Sequence, residues 1–310
     1  MGFFDFMQEA IAIDLGTANT LIIHNDKVVV DEPSIVAKNI RTGEIVAIGK
    51  RAQQMHGKTH KEIETIRPLK NGVIADFQSS EQMIIGFINM IQKKRSLFSP
   101  ALKMVICIPS GVTEVEKRAV VDSAEHAGAK DVWLIHEPMA AAIGIGIDVL
   151  EPKGNMVIDI GGGTSDIAVI SLSAIAYGES IRVAGDAIDE SIARYMRINH
   201  SLNIGIFEAE RIKTEIGSAY PLLEKLSTQV KGLNVQTGVP TSTEIFDEEI
   251  RLAMQEPILM ITAVIMKALE KTPPELSADI HSNGIYLTGG GALIRGLDKL
   301  IEEQTSLKVY

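Results

Sequence analysis

Short runs of β-branched and other apolar residues recur along the chain, separated by segments that carry glycine, proline or charge. Ile11 and Ile13 mark a strand that ends on Asp14, and Leu21, Ile22 and Ile23 mark a second. Residues 27–36 continue as extended apolar segments with Glu32-Pro33-Ser34 as a break, and 45–49 is another short strand. The pattern then turns polar and helix-like over 51–66, followed by a loop over 67–72. Met83, Ile84, Phe87, Ile88 and Ile91 fall at helical spacing and predict a helix over 80–92. A strand over 104–109, a helix over 114–127 stopped by Gly128, and a strand over 132–135 come next. Glu137-Pro138 then opens a helix of small residues, with proline at an early position.

The second half repeats the theme. Met156-Val157-Ile158 and Ile167-Ala168-Val169-Ile170 predict two buried strands. A turn is expected at Gly185-Asp186, with a helix beginning at Asp189 and a second helix over 207–218. Residues 233–241 are β-like, with turns at Gly238 and Pro240. Residues 243–270 are largely helical, with Pro257 as a helix boundary. A break at 272–274 precedes a strand at Ile285-Tyr286-Leu287, three glycines, and a helix starting within 292–297.

Glycines sit where the strands change direction. Between the two strands of the second half lie Asp159 and then Gly161, Gly162, Gly163 and Thr164. Three consecutive glycines let a hairpin backbone take positive φ and approach a ligand without Cβ clashes. Such a turn points N–H groups into one concavity, which suits phosphate oxygens. Asp159 ends the incoming strand, where a carboxylate can hold Mg2+ through water. The plainer reading is a glycine-rich hairpin with one solvated aspartate. Asp14, Gly16 and Thr17 repeat the design 145 positions earlier. Two such hairpins are far more specific than one, because facing loops can clamp a single polyphosphate. A third glycine cluster, Gly289, Gly290 and Gly291, lies at a strand-to-helix junction where a flat base or a phosphate can rest on backbone N–H groups. Glu137, between a strand and a helix, is placed to orient an attacking water. The alternative is a first-turn carboxylate favoured by the helix dipole.

Composition narrows the class. The 310 residues suffice for two domains, and 45% hydrophobic with 23% charged residues is ordinary for a globular protein. A net charge of −10 argues against a nucleic-acid partner. Cys107 is the single cysteine, so no disulfide forms within the chain, and a reducing compartment fits. No apolar run reaches the ~18 residues of a membrane span. Two stretches suggest a membrane surface instead: Phe3 and Phe4 in the apolar start, and Leu97-Phe98 between a basic cluster and Ser99-Pro100. The competing readings are a β-strand entry or a sticky terminus for the start, and packing back onto the core for Leu97-Phe98. The P-loop, dinucleotide-fold and protein-kinase motifs are missing from the sequence.

The order hairpin, hairpin, strand–helix resembles the actin, heat-shock chaperone and sugar-kinase ATPase superfamily. IDLGTANT, EPSIVA, IRPLKNGVIADF, PSGVTEVEKRAV, EPMAAAIG, IDIGGGTSDIAVISL and LTGGGALIRGL resemble the MreB family of bacterial actins, over essentially the whole chain. The resemblance implies an α/β, actin-like ATPase fold: two RNase H-like lobes, each with a smaller insert, and a nucleotide cleft between them. Lobe I would comprise 1–32 and 70–149 with its insert at 33–69. Lobe II would comprise 150–183 and 248–310 with its insert at 184–247. It implies ATP or ADP with Mg2+ held through water by Asp14 and Asp159. Gly16, Thr17, Ala18 and Asn19 would line one phosphate loop, and Gly161, Gly162, Gly163 and Thr164 the other. Glu137 and Thr164 would position water, while Gly185, Asp186, Glu210, Lys213, Gly289, Gly290 and Gly291 would surround ribose and adenine. Leu97 and Phe98 fall at the family's membrane-inserting loop.

The implied function is slow ATP hydrolysis coupled to polymerisation into double protofilaments. These would bind the cytoplasmic face of the cell membrane, meet cell-wall synthesis and rod-complex membrane proteins, and set rod shape. A plasmid-segregation or division actin and a small-metabolite kinase are the alternatives. Thr164-Ser165-Asp166 stands where the family often has Thr-Thr-Glu, and Ala184 where glycine is common. The sequence stops at Tyr310, before the Asp-Pro-Leu segment and small-residue helix that usually complete the first lobe.

Overall fold

The computed structural model describes residues 8–91 and 101–310. Phe3, Phe4, Leu97 and Phe98 lie outside the described residues. Backbone contacts divide the chain into two compact units, Met1–Ala140 and Ala141–Tyr310.

Unit 1 begins with β1 (Gln8–Leu15), β2 (Asn19–His24) and β3 (Lys27–Pro33), followed by β4 (Val36–Asn39), β5 (Ile45–Ile48), α1 (Lys50–Met55) and β6 (Ile63–Ile66). After β7 (Leu69–Lys70), β8 (Val73–Ile74) and α2 (Phe77–Ile91) come β9 (Ala101–Ile108), α3 (Glu114–His126), β10 (Ala129–His136) and α4 (Glu137–Gly144). Five strands form one sheet in the order β10-β9-β1-β2-β3. β1 is antiparallel to β2 and parallel to β9, which is parallel to β10. Alternation sends Ile11, Ile13, Ile22, Met104 and Ile106 to one face, where they pack with Met83, Ile84, Phe87 and Ile88 of α2 and with α3. A capping box opens α3: Glu116 N–H donates to Thr113 Oγ1 at 3.3 Å, and Thr113 N–H donates to the Glu116 carboxylate at 2.7 Å. The polar stretch expected to be helical over 51–66 is helical only to Met55. Ile63–Ile66 pairs with β4 instead, completing a three-stranded sheet in the order β5-β4-β6.

Unit 2 contains β11 (Asn155–Ile160), β12 (Ser165–Ser171), β13 (Ala174–Ile181), α5 (Gly185–Asn199), β14 (Leu202–Asn203), α6 (Ile206–Ile216), β15 (Ser227–Asn234), β16 (Pro240–Phe246), α7 (Asp247–Lys271), α8 (Pro274–Asn283), β17 (Ile285–Thr288), a 3-10 turn over Gly290–Leu293, and α9 (Leu297–Thr305). Its main sheet runs β13-β12-β11-β17, with β11 antiparallel to β12 and parallel to β17. This is the arrangement of β3-β2-β1-β9 again, so the duplicated hairpin belongs to a duplicated sheet. Lys308 and Tyr310 extend it on the far side of β17, where Ile285 N–H donates to Lys308 O at 2.8 Å and Tyr310 N–H to Ile285 O at 2.9 Å. That is the position β10 holds in unit 1.

Pro257 does not end a helix. It lies buried inside α7. Proline has no N–H to give the carbonyl four residues back, which here is Ala253 O. Ser191 Oγ on α5 donates to that carbonyl at 2.8 Å. A neighbouring helix therefore supplies the bond that the proline cannot. Ser191→Ala should destabilise unit 2 by about 1–3 kcal/mol, the usual cost of stranding a buried acceptor. A lowered urea midpoint with unchanged slope would register it. By length and composition α7 is also apolar enough to cross a membrane. Its buried face, including Ile250, Met254, Ile258, Ile261 and Ile265, packs in the core of unit 2.

Candidate functional site

In unit 1 the site residues gather at the carboxyl ends of parallel strands, the usual place for ligands in such sheets. Asp14 is the penultimate residue of β1, and its partner on β9 is Cys107. Gly16, Thr17 and Ala18 turn the chain into β2, which starts at Asn19. Glu137 follows β10 directly as the first residue of α4. The turn is held from three directions. Gly72 N–H donates to Thr17 Oγ1 at 2.9 Å. Ser34 N–H donates to Ala18 O at 2.9 Å, and Ser34 Oγ donates to Gly16 O at 2.6 Å. A Cβ on Gly16 would stand 2.6 Å from Asn19 O, so no side chain fits there. Asp14 is exposed, yet desolvation pushes its carboxyl above the ordinary aspartate range. A carboxylate with protein crowded around it and water still in reach loses hydration while keeping access for a cation. Leu15, Leu69, Val73, Ile108 and Val120 line a small depression together with Gly72, Cys107, Glu116 and Lys117.

In unit 2 the second turn sits at the end of β11. Gly161 N–H donates to Thr164 O at 2.9 Å, closing a four-residue loop between Ile160 and Ser165. Positive φ, expected at these glycines, is not used here: the left-handed backbone falls at Gly72 (φ 76°) and Gly289 (φ 81°). What the second turn uses is close approach by α5. Gly185 N–H donates to Gly161 O at 3.1 Å, and Asp186 N–H donates to Gly162 O at 2.7 Å. Gly185 and Asp186 are thus the first turn of α5, not a loop before a helix starting at Asp189. A helix N-terminus has N–H groups to spare, and the two carbonyls take them. Thr164 is buried beside the turn.

The third glycine cluster joins this turn through sheet register. β17 pairs with β11 so that Thr288 lies opposite Asp159, which sets Gly289, Gly290 and Gly291 beside Asp159 and Ile160. A Cβ on Gly291 would meet the Ile160 side chain, and one on Gly290 would meet nothing within 4 Å. Glu210 and Lys213 lie on α6. Lys213 Nζ is 2.9 Å from Asp189 Oδ1 and donates to Asp189 Oδ2 at 3.0 Å and to Gly185 O at 3.3 Å. The contact to Oδ1 is ionic, without hydrogen-bond alignment. Burial pushes the Asp189 carboxyl up to about 7, against the pull of Lys213. Lys213 therefore braces α6 against the same α5 turn that grips Gly161 and Gly162.

Sequence reasoning missed Ser34, Gly72 and Asp189 as parts of the site. Asn71-Gly72 and Pro33-Ser34 were visible as breaks, but nothing local shows which turn they hold across 55 and 18 positions.

An aspartate, a tight turn and a hydroxyl at the end of a strand flanked by one parallel and one antiparallel neighbour, repeated once per chain, define an actin-like protein. The MreB/Mbl protein family profile matches residues 8–310. Cell shape-determining protein MreB of Escherichia coli (strain K12) is 48% identical over 304 residues, covering 96% of this chain and 87% of that protein. Cell shape-determining protein Mbl of Bacillus subtilis (strain 168) is 43% identical over 300 residues, covering 96% and 90%. The crystal structure of MreB5 of Spiroplasma citri bound to AMPPNP superposes with a TM-score of 0.92 at 38% identity, covering 98% of this chain and 91% of that one. The same protein has been solved bound to ADP, also with a TM-score of 0.92. A MamK double helical filament, at 19% identity and a TM-score of 0.81, shares the fold. The chain belongs to the MreB/Mbl family of cell shape-determining proteins, and its fold is that of the actin-like ATPases.

Proposed function

We propose that this protein is a slow ATPase that polymerises into membrane-bound double protofilaments, organises peptidoglycan synthesis and sets rod cell shape. One observation carries the reading: each unit bears the same Asp–turn–hydroxyl hairpin at the carboxyl end of a strand with a parallel neighbour. Nucleotides on the Spiroplasma relative and the shape-determining names of the curated relatives support it.

In this reading Gly16, Thr17, Ala18 and Asn19 line the phosphates of ATP or ADP, as do Gly161, Gly162, Gly163 and Thr164. Gly185, Asp186, Glu210, Lys213, Gly289, Gly290 and Gly291 surround the ribose and adenine. Asp14 and Asp159 hold Mg2+ through water. Their donor chemistry fits, being hard oxygen. Among the described residues no group of three or more His, Cys, Asp or Glu gathers to hold a metal directly. When bound, Mg2+ neutralises charge on the phosphoryl oxygens. Glu137 and Thr164 orient the water for in-line attack, while turn N–H groups stabilise the charge that develops. Leu97, Phe98, Phe3 and Phe4 supply contact with the inner face of the cell membrane, where rod-complex proteins are the partners.

Electron microscopy with MgATP on a lipid monolayer tests the whole reading. Wild-type protein should form paired filaments on the lipid. A Leu97→Ser/Phe98→Ser variant should form them in solution only. Absence of filaments from the wild type with every nucleotide tried would refute polymerisation.

A further inference from the structure

We propose that Ser34 is the positioning residue that aims the first phosphate turn. The inference rests on the reading that residues 16–19 bind phosphate. Ser34 is fully buried between β3 and β4. It makes three bonds to one short segment: N–H to Ala18 O at 2.9 Å, Oγ to Gly16 O at 2.6 Å, and Oγ to Thr20 Oγ1 at 2.8 Å. The single hydroxyl proton of Ser34 goes to Gly16 O, so Thr20, itself buried, is the donor in the last pair.

The grip has a directional consequence. In a trans peptide the C=O of one residue and the N–H of the next point to opposite sides, and the described residues contain no cis peptide bond. Drawing Gly16 O and Ala18 O towards Ser34 turns the N–H groups of Thr17 and Asn19 the other way. An anion on that side meets two donors whose orientation was fixed when the chain folded. Preorganised donors bind a charge without reorganising first. Ser34 touches no phosphate in this scheme. It acts through the peptide planes of the turn. Because it stands where the chain passes from β3 into β4, it also ties the turn to the small β5-β4-β6 sheet.

Calorimetry on the purified full chain tests this with MgATP, MgADP and adenosine, alongside thermal melting without nucleotide. Ser34→Ala should weaken MgATP and MgADP by about tenfold each and leave adenosine within about twofold, since only phosphates use the aimed N–H groups. Ser34→Cys, whose thiol is a weak donor to Gly16 O, should weaken MgATP by about threefold and decides the matter if Ser34→Ala does not fold. Two outcomes overturn the positioning role alone: MgATP affinity within twofold of wild type in the folded variants, or equal weakening of MgATP and adenosine in step with a lower melting temperature. A wild-type chain that binds no MgATP overturns the nucleotide reading, and this role with it.

Discussion

Glu137→Ala should lower ATP hydrolysis by about a hundredfold or more while leaving MgATP binding nearly intact. The magnitude is that of a positioned general base. Glu137 is the first residue of α4, directly after β10, and its side chain is only partly buried. The register of β10, β9 and β1 sets it two strands from Asp14, at the same edge of the sheet. In the role proposed for it this carboxylate orients the attacking water. Phosphoryl transfer asks little else of the protein, because most of the barrier is met by alignment and charge neutralisation. The alternative is that Glu137 merely complements the N-terminal end of the α4 dipole. That role is worth about 0.3–1 kcal/mol of stability and nothing in turnover. Phosphate release per chain, measured at saturating MgATP together with the melting temperature, separates the two. A rate within twofold of wild type would leave Glu137 as a helix-capping charge. Glu137→Gln sharpens the comparison, since the amide retains hydrogen bonding but cannot accept the proton.

The strands that carry the site were legible because their signals are local. Met156, Val157 and Ile158 read as a buried strand and are fully buried in β11, with half-buried Asp159 one residue before its end. The duplication was legible too, since Asp14-Leu15-Gly16-Thr17 repeats the order of Asp159 to Thr164 without any alignment. The failures lie where a distant element decides. Pro257 has every mark of a helix end, yet the helix runs through it, and Ser191, sixty-two positions before Ala253, donates to the carbonyl that the proline cannot serve. Residues 63–66 follow a polar, helix-like pattern but form a strand because β4 offers an unpaired edge. Gly185 and Asp186 have turn composition, yet their N–H groups find the carbonyls of Gly161 and Gly162, and the helix starts there. Ser34 shows the same limit at the site itself. A serine after a proline is an ordinary break until its hydroxyl is seen on Gly16 O.

The three glycines after β17 should separate under substitution, with Gly289→Ala the severe change. Gly289 has φ 81° and ψ 171°, a region only glycine occupies comfortably. A methyl there would sit 2.4 Å from both Asp159 Oδ1 and Ile160 O, closer than any real Cβ contact allows. Ile160 O is a backbone atom at the end of β11 and cannot give way cheaply, and the Asp159 carboxylate would have to swing aside. Backbone strain and displacement of β11 together should cost about 3 kcal/mol or more. MgATP binding should be lost as well, because the displaced carboxylate is the proposed Mg2+ ligand. Gly290→Ala is the opposite case. Gly290 is exposed, has no left-handed backbone, and its added methyl would meet no protein atom within 4 Å. Its stability should stay within about 0.5 kcal/mol of wild type. If the base of the nucleotide rests on this turn, the same methyl occupies the ligand's space, and MgATP affinity should fall without any change in folding. Urea denaturation and nucleotide titration on both variants read the two effects independently. A Gly290→Ala chain that binds MgATP like wild type would remove Gly290 from the nucleotide surface, and a Gly289→Ala chain as stable as wild type would mean that the end of β11 yields more easily than its packing implies.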